Sequence, residues 1–112
     1  SISHKIGYEE MEVTQLNKLL KNGSSLTIID VREEFELEIS KIDGAIHIPM
    51  NQVPRRLDEL NPDIDYVVMC RTGVRSSQIC EFLSNQNFRS VANLSGGINA
   101  WSKQVDSSLP VY

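Results

Sequence analysis

One segment of the chain holds the residue types needed for nucleophilic chemistry on a small anion. It reads Cys70-Arg71-Thr72-Gly73-Val74-Arg75-Ser76 and directly follows an apolar run at residues 66–69. The run is typical of a buried strand, and residues 76–86 have the apolar spacing of a helix. Cys70 would then lie at the carboxyl end of a strand, which is the edge where open parallel sheets bind ligands.

The turn that begins at Cys70 is expected to favour a thiolate. Successive backbone N–H groups can form an anion-binding nest there, and the following helix adds a partial positive charge at its amino end. Gly73 permits a backbone angle that a side chain would resist, while Arg71 and Arg75 add two positive charges. Such surroundings can lower a thiol pKa from about 8.5 to roughly 3.5–7.5. The alternative is that Cys70 is a small buried apolar residue at a strand end.

The elements around this turn are expected to alternate between strand and helix. Apolar runs predict strands at residues 26–30, 45–48, 66–69 and 91–94, with helices at residues 13–21, 32–39, 76–86 and 98–105 and a further helix starting at Pro54. In the second helix, Phe35 and Ile39 are expected to face inward. This order predicts one α/β domain built on a parallel sheet, over residues 11–112, with residues 1–10 as a lead-in.

Composition narrows the choice of partners. The formal net charge is −4, which argues against a nucleic-acid surface or an anionic membrane as partner. No apolar run reaches about 18 residues, and we expect no membrane span. Two cysteines cannot form a disulfide framework, and no apolar signal core begins the chain, so we expect a cytoplasmic protein. No carboxylates or histidines occur at metal-ligand spacing, and neither a metal nor another cofactor is expected.

Three segments resemble the signatures of the rhodanese family. Residues 70–76 are similar to its active-site loop. Asp30-Val31-Arg32-Glu33, followed by residues 42–49, resembles its amino-terminal motif, although Lys41-Ile42-Asp43 stands where the family often has Gly-His-Ile. Leu94-Ser95-Gly96-Gly97-Ile98-Asn99-Ala100-Trp101 is similar to its carboxyl-terminal motif L-x-G-G-x-x-A-W. The motifs occur in the family's order and cover roughly residues 11–105.

This resemblance implies a fold, a reaction and a site. The fold is a five-stranded parallel sheet flanked by helices on both sides. The reaction transfers sulfane sulfur from thiosulfate, mercaptopyruvate or a protein persulfide, through a cysteine persulfide, to a thiophilic acceptor. Carried over by position, Cys70 is the persulfide carrier, and the donor-binding cradle consists of Arg71, Thr72, Gly73, Val74 and Arg75. Asp30 and Arg32 match positions that are mainly structural in the family.

Other residues with reactive side chains are expected to be structural. Cys80 lies on the apolar face of the helix that follows Cys70, where core packing is favoured over a role as a resolving thiol. His47 lies on a predicted strand, and transfer to an ionised thiolate needs no base. Trp101 is expected to anchor the last helix.

Rival functions stay open on the sequence. Cysteine phosphatases and arsenate reductases share the strand–loop–helix arrangement, but their loop is Cys-x5-Arg, whereas four residues separate Cys70 from Arg75 here. A non-catalytic interaction module of the same fold is a second rival. The tail, residues 101–112, resembles the end of proteins that join a MoeB/ThiF-like adenylyltransferase to a rhodanese. That resemblance implies a sulfur-carrier protein as acceptor, in molybdopterin synthesis or tRNA thiolation; a free-standing thiosulfate sulfurtransferase is the alternative.

Overall fold

The computed structural model describes residues 7–112, which form an alternating series of strands and helices. The strands are β1 (Glu9–Met11), β2 (Thr27–Asp30), β3 (Ile46–His47), β4 (Asp65–Met69) and β5 (Ser90–Leu94). The helices are α1 (Val13–Lys21), α2 (Glu34–Leu37), α3 (Val74–Asn85) and α4 (Gly97–Gln104), with two 3-10 helices at Met50–Gln52 and Pro54–Glu59.

The five strands form one parallel sheet in the order β1-β5-β4-β2-β3. The central strand β4 is flanked by β5 and β2, so its backbone is hydrogen-bonded on both sides. Parallel pairing requires a crossover between strands, which the helices provide. This confirms the predicted α/β class and the five-stranded parallel sheet.

Two hydrophobic cores cover the two faces of the sheet. Along β4, Tyr66 and Val68 point to one face, where α3 contributes Ile79 and Leu83. Val67 and Met69 point to the other, where they meet α1 and α4 through residues that include Leu16, Ile98 and Trp101. A strand segment buried on both faces needs apolar residues at successive positions, which is why residues 66–69 of β4 are a continuous apolar run.

Strand β1 was not predicted, because it carries no apolar alternation. It consists of Glu9, Glu10 and Met11 and pairs with β5 at the sheet edge. The strand therefore begins inside the segment that sequence reasoning assigned to a lead-in.

The prediction that Phe35 and Ile39 face inward is wrong. Phe35 is 66% exposed and Ile39 is 39% exposed. Helix α2 is a single turn whose buried residue is Glu36, since that carboxylate has partners inside the protein. Apolar spacing cannot reveal an inward-facing carboxylate.

Among the residues from 7 to 112, no helix has the length and apolar character needed to cross a membrane.

Candidate active site

The loop after β4 turns sharply into α3 at a glycine. Cys70 directly follows β4 and is buried, and α3 begins four residues later at Val74. Gly73 has a φ of 103°, in the left-handed region that side chains disfavour. A parallel sheet thus delivers Cys70 to the amino end of a helix, as the spacing predicted.

Hydrogen-bond donors converge on the sulfur of Cys70. The backbone N–H of Gly73 lies 3.1 Å from Sγ, and the backbone N–H of Ser76 lies 3.5 Å away. The Ser76 hydroxyl is 3.3 Å from the same atom. Val74 and Arg75 also belong to the first turn of α3, where backbone N–H groups have no intrahelical acceptor. The loop therefore places two backbone N–H groups and one hydroxyl around the sulfur of Cys70.

These donors outweigh the burial of Cys70. Burial alone would raise the pKa of the thiol, but the Ser76 hydroxyl and the N–H groups of Ser76, Gly73 and Thr72 hold the pKa of Cys70 below its ordinary value. Hydrogen bonds to the charged form favour that form. The lowering therefore comes from the loop itself.

A polar chain behind the loop leads from Ser76 to the sheet edge. The Ser76 hydroxyl lies 2.5 Å from Oδ1 of buried Asn93 on β5. The Asn93 amide donates to the carbonyl of Gly73 at 3.1 Å and to the carboxylate of Glu10 at 3.2 Å. Glu10 belongs to β1, so the strand that sequence reasoning missed supports the active-site loop.

Helix α4 holds the other side of the loop. The N–H of Ile98 donates to the carbonyl of Cys70 at 2.9 Å, and the N–H of Asn99 donates to the carbonyl of Arg71 at 3.1 Å. This approach requires Gly97, because a Cβ there would lie 2.6 Å from the carbonyl oxygen of Cys70 and would collide with the Arg71 carbonyl. The carboxyl-terminal motif thus packs against the peptide groups of Cys70 and Arg71.

Arg75 is paired with a carboxylate. Its guanidinium makes a bidentate contact with Glu36, at 2.7 and 2.9 Å. This pairing raises the pKa of Arg75 and lowers the pKa of Glu36 to about 2. The charge of Arg75 is therefore largely neutralised, and its predicted role in donor binding stays a prediction.

The solvent-exposed side of the Cys70 loop is formed by Arg71 and its neighbours. Arg71 and Thr72 are exposed, and Val74 is 64% exposed. The Arg71 guanidinium stacks on the ring of Tyr112 at 4.9 Å. The six predicted site residues thus lie in the loop after β4 and the first turn of α3. Thr72 contributes a backbone N–H that lowers the pKa of Cys70.

A buried ion pair stabilises the base of α2. Arg32 is fully buried and binds Asp30 at 2.8 Å, while donating to the carbonyls of Glu36 and Ser40. The ring of His47 contacts the carbonyl of Arg32 at 2.7 Å. These contacts agree with the structural roles expected for Asp30, Arg32 and His47.

Cys80 is a core residue without accessible sulfur. It is fully buried on α3, and burial raises the pKa of its thiol. Both cysteines are free thiols. Within residues 7–112, no group of three or more His, Cys, Asp or Glu is placed to hold a metal ion.

The described fold and loop can be compared with known proteins. The family model of the rhodanese-like domain matches residues 12–104 of the chain. The chain belongs to the rhodanese-like domain family. The three motifs of this rhodanese-like chain are the elements that build its site: β2 and α2, the Cys70 loop, and the β5–α4 turn.

Relatives of this rhodanese-like chain differ widely in length. It is 35% identical to the sulfurtransferase of Allochromatium vinosum, over 84% of this chain and 88% of that protein. It is 35% identical to the chloroplastic rhodanese-like/PpiC domain-containing protein 12 of Arabidopsis thaliana, over 99% of this chain but only 40% of that protein. It is 34% identical to the adenylyltransferase and sulfurtransferase uba4 of Pyricularia oryzae, over 91% of this chain and 26% of that protein. The chain thus spans less than half of the latter two relatives.

A solved structure has the same fold. The crystal structure of a rhodanese-related protein from Thermoplasma volcanium superposes with a TM-score of 0.78 at 31% identity, covering 94% of this chain and 98% of that one. This agreement extends over nearly the whole of both chains.

Proposed function

We propose that the protein is a rhodanese-type sulfurtransferase that carries sulfane sulfur as a persulfide on Cys70. The observation that carries the proposal is the convergence of backbone N–H groups and the Ser76 hydroxyl on Sγ. These donors favour the thiolate, which is the nucleophilic form of cysteine. The names of relatives such as the Allochromatium vinosum sulfurtransferase support the same reaction.

The reaction needs two displacement steps. The Cys70 thiolate attacks the sulfane sulfur of thiosulfate, a new S–S bond forms, and sulfite leaves with the electron pair of the broken S–S bond. A thiophilic acceptor such as cyanide then attacks the outer sulfur, and the Cys70 thiolate leaves. Neither step requires an oxidant, a reductant or a general base.

The N–H cradle suits both the thiolate and the persulfide. Gly73 and Ser76 donate to Sγ, and the N–H groups of Val74 and Arg75 remain in the first turn of α3 for the outer sulfur. A helix amino end favours negative charge at that position. The cradle of residues 71–75 would therefore stabilise the terminal sulfur anion.

The donor and acceptor belong to the same proposal. We propose a small anionic donor such as thiosulfate, or a protein persulfide, and a sulfur-carrier protein as acceptor, for molybdopterin synthesis or tRNA thiolation in the cytoplasm. The relative uba4, whose name joins adenylyltransferase and sulfurtransferase, supports an adenylyltransferase domain as partner in the same chain. A free-standing thiosulfate sulfurtransferase is the alternative, and the match to 88% of the Allochromatium vinosum protein supports it.

The pairing of Arg75 disfavours phosphate chemistry. A phosphatase loop uses its arginine as a bidentate phosphate ligand. Here both terminal nitrogens of Arg75 are bound by Glu36, so the guanidinium would have to leave that carboxylate to bind a phosphate through both of them.

Turnover tests the proposal. Thiocyanate formation from thiosulfate and cyanide is expected for the wild-type protein, and it should be lost in Cys70→Ser and largely kept in Cys80→Ser. Turnover in Cys70→Ser equal to that of the wild type would contradict the assignment, as would efficient aryl-phosphate hydrolysis that depends on Cys70.

A further inference from the structure

Tyr112 folds back onto the active-site end of the sheet. Its backbone N–H donates to Oδ1 of Asn99 at 3.1 Å, and its backbone oxygen accepts from Nδ2 of Asn99 at 3.2 Å. The backbone N–H of Asn99 also holds the carbonyl of Arg71. One residue at the start of α4 thus fixes both Tyr112 and the residue next to the nucleophile.

Tyr112 contacts Arg71 through its aromatic ring and its main-chain oxygen. The Arg71 guanidinium lies over the Tyr112 ring, 4.9 Å from its centroid, and donates to the backbone oxygen of Tyr112. A ring face attracts a cation through its quadrupole without neutralising it. The ring therefore orders a long exposed side chain without neutralising it.

The other two arginines beside the loop are neutralised. Arg32 is bound by Asp30, and Arg75 is bound by Glu36. In the part of the chain that the structure describes, no Asp or Glu carboxylate pairs with Arg71. Arg71 is thus the arginine of the loop that no acidic side chain neutralises.

We propose that Tyr112 is a positioning residue that holds Arg71 in place for recognition of the anionic sulfur donor. The proposal rests on the proposed sulfur-transfer function for the identity of the anion. Without the ring, Arg71 would sample many rotamers, and an anion would have to order it on binding.

The hydroxyl of Tyr112 does not contact Arg71 but bonds to two other residues. It accepts from Nη1 of Arg32 at 2.9 Å and donates to Glu36 at 2.7 Å. Tyr112→Phe removes these two contacts but keeps the ring and the backbone oxygen. Tyr112→Leu removes the ring as well, while keeping an apolar side chain against the core that includes Trp101 and Leu109. The pair of variants separates the stack on Arg71 from the hydroxyl network.

Alkylation of Cys70 by two reagents tests the proposal without relying on turnover. Iodoacetate is an anion and iodoacetamide is neutral, so the ratio of their rates reports the positive charge that Arg71 presents. The ratio is expected to fall about two- to fivefold in Tyr112→Leu, to stay at the wild-type value in Tyr112→Phe, and to fall in Arg71→Gln. In Arg71→Gln, adding Tyr112→Leu should change the ratio no further. The iodoacetamide rate–pH profile should be unchanged in Tyr112→Phe and Tyr112→Leu.

Steady-state kinetics test whether the charge of Arg71 acts on the sulfur donor, thiosulfate. KM for thiosulfate should rise in Tyr112→Leu by a similar factor, with a smaller change in kcat. Tyr112→Met serves as a second ring-free variant if Tyr112→Leu does not fold. An unchanged alkylation ratio in the ring-free variant, or an equal fall in Tyr112→Phe, would overturn the proposal. A wild-type protein that gains no persulfide from either thiosulfate or a protein persulfide would instead contradict the proposed function, and the alkylation ratio would still be measurable.

Discussion

The Ser76 hydroxyl carries one hydrogen and lies near two acceptors. It is 2.5 Å from Oδ1 of Asn93 and 3.3 Å from Sγ of Cys70, so it can donate to only one of them at a time. The N–H groups of Gly73 and Ser76 are permanent donors to the sulfur, whereas the hydroxyl can turn to the thiolate when it forms. At the scale of single residues, two backbone N–H groups thus donate to Cys70 at all times, and the Ser76 hydroxyl adds a third hydrogen bond when the thiolate forms.

Removing that hydroxyl should raise the pKa of Cys70. Ser76→Ala keeps the backbone N–H but loses a hydrogen bond that lowers the thiol pKa. The rate of alkylation by iodoacetamide rises as the thiol ionises, so the midpoint of its pH profile gives the pKa. We expect a midpoint below about 8.5 for the wild type and a higher one for Ser76→Ala.

Ser77→Ala is the matched control, because the half-buried Ser77 bonds through its hydroxyl to the carbonyl of Val74 and not to Cys70. Its midpoint should equal that of the wild type. A Ser76→Ala midpoint at or below the wild-type value would show that the hydroxyl does not stabilise the thiolate.

The sequence predicted the position of Cys70 at a strand–helix turn but not the side chains that support its loop. Cys70 could be recognised because a cysteine followed by glycine and arginine at a strand–helix turn is a local pattern. Asn93 and Glu36 reach the loop from distant parts of the chain, through hydrogen bonds that no spacing encodes.

At the scale of elements, the amino end of α4 packs directly on the peptide groups of the loop. Gly97→Ala should move α4 away from Cys70, because a Cβ would collide with the carbonyls of Cys70 and Arg71. We expect a loss of stability above the 1–3 kcal/mol that a strained backbone angle alone costs, together with a higher pKa of Cys70. Urea unfolding and the alkylation profile measure the two effects.

Gly44→Ala is the control for Gly97→Ala, because it introduces backbone strain without a collision. Gly44 also has a positive φ, 90°, but no heavy atom lies within 4 Å of an added Cβ. It should lose some stability and keep the wild-type pKa of Cys70. Equal behaviour of the two variants would rule out a special role for the α4 contact.

Helix α2 is held to α3 by an ion pair that titrates. Arg75 lowers the pKa of Glu36 to about 2, against an ordinary value of about 4.3. Because folding lowers this pKa, the pair contributes stability that is present above about pH 4.3 and is lost as the pH falls toward 2. Glu36→Gln should therefore be less stable than the wild type at neutral pH, by about 1–3 kcal/mol.

The difference between the two proteins should shrink as the pH falls from about 4.5 to 2 in urea unfolding experiments. Glu59→Gln is the control, since Glu59 pairs with Arg56 on the exposed surface. A constant difference between wild type and Glu36→Gln over this range would contradict the assigned pairing.

Every predicted strand, and helices α1, α2, α3 and α4, match the predicted segments within two residues. Strand β1 was missed, because it carries no apolar alternation and its residue Glu10 has its partners in another element. In helix α2 the position was predicted and the buried face was not, because Glu36 is held inside by Arg75 and Tyr112. These two features follow from tertiary hydrogen bonds rather than from local pattern.

At the scale of the whole molecule, the parallel sheet places the loop after β4 where three other elements contact it. Helix α3 supplies donors to the sulfur, α4 holds the loop's carbonyls, and β5 holds Gly73 through Asn93. The fold and the loop followed from the sequence and its resemblance to the rhodanese family. The cooperation of three elements at Cys70 could be seen only in the structure.

The central claim is that Cys70 carries the transferred sulfur as a persulfide. Its most direct test is the intact mass of the protein after treatment with thiosulfate and removal of excess reagent. The wild type and Cys80→Ser should each gain the mass of one sulfur atom, which cyanide should remove, and Cys70→Ser should gain none. A cyanide-labile sulfur on the Cys70→Ser protein, or none on the wild type with either thiosulfate or a protein persulfide as donor, would contradict the account.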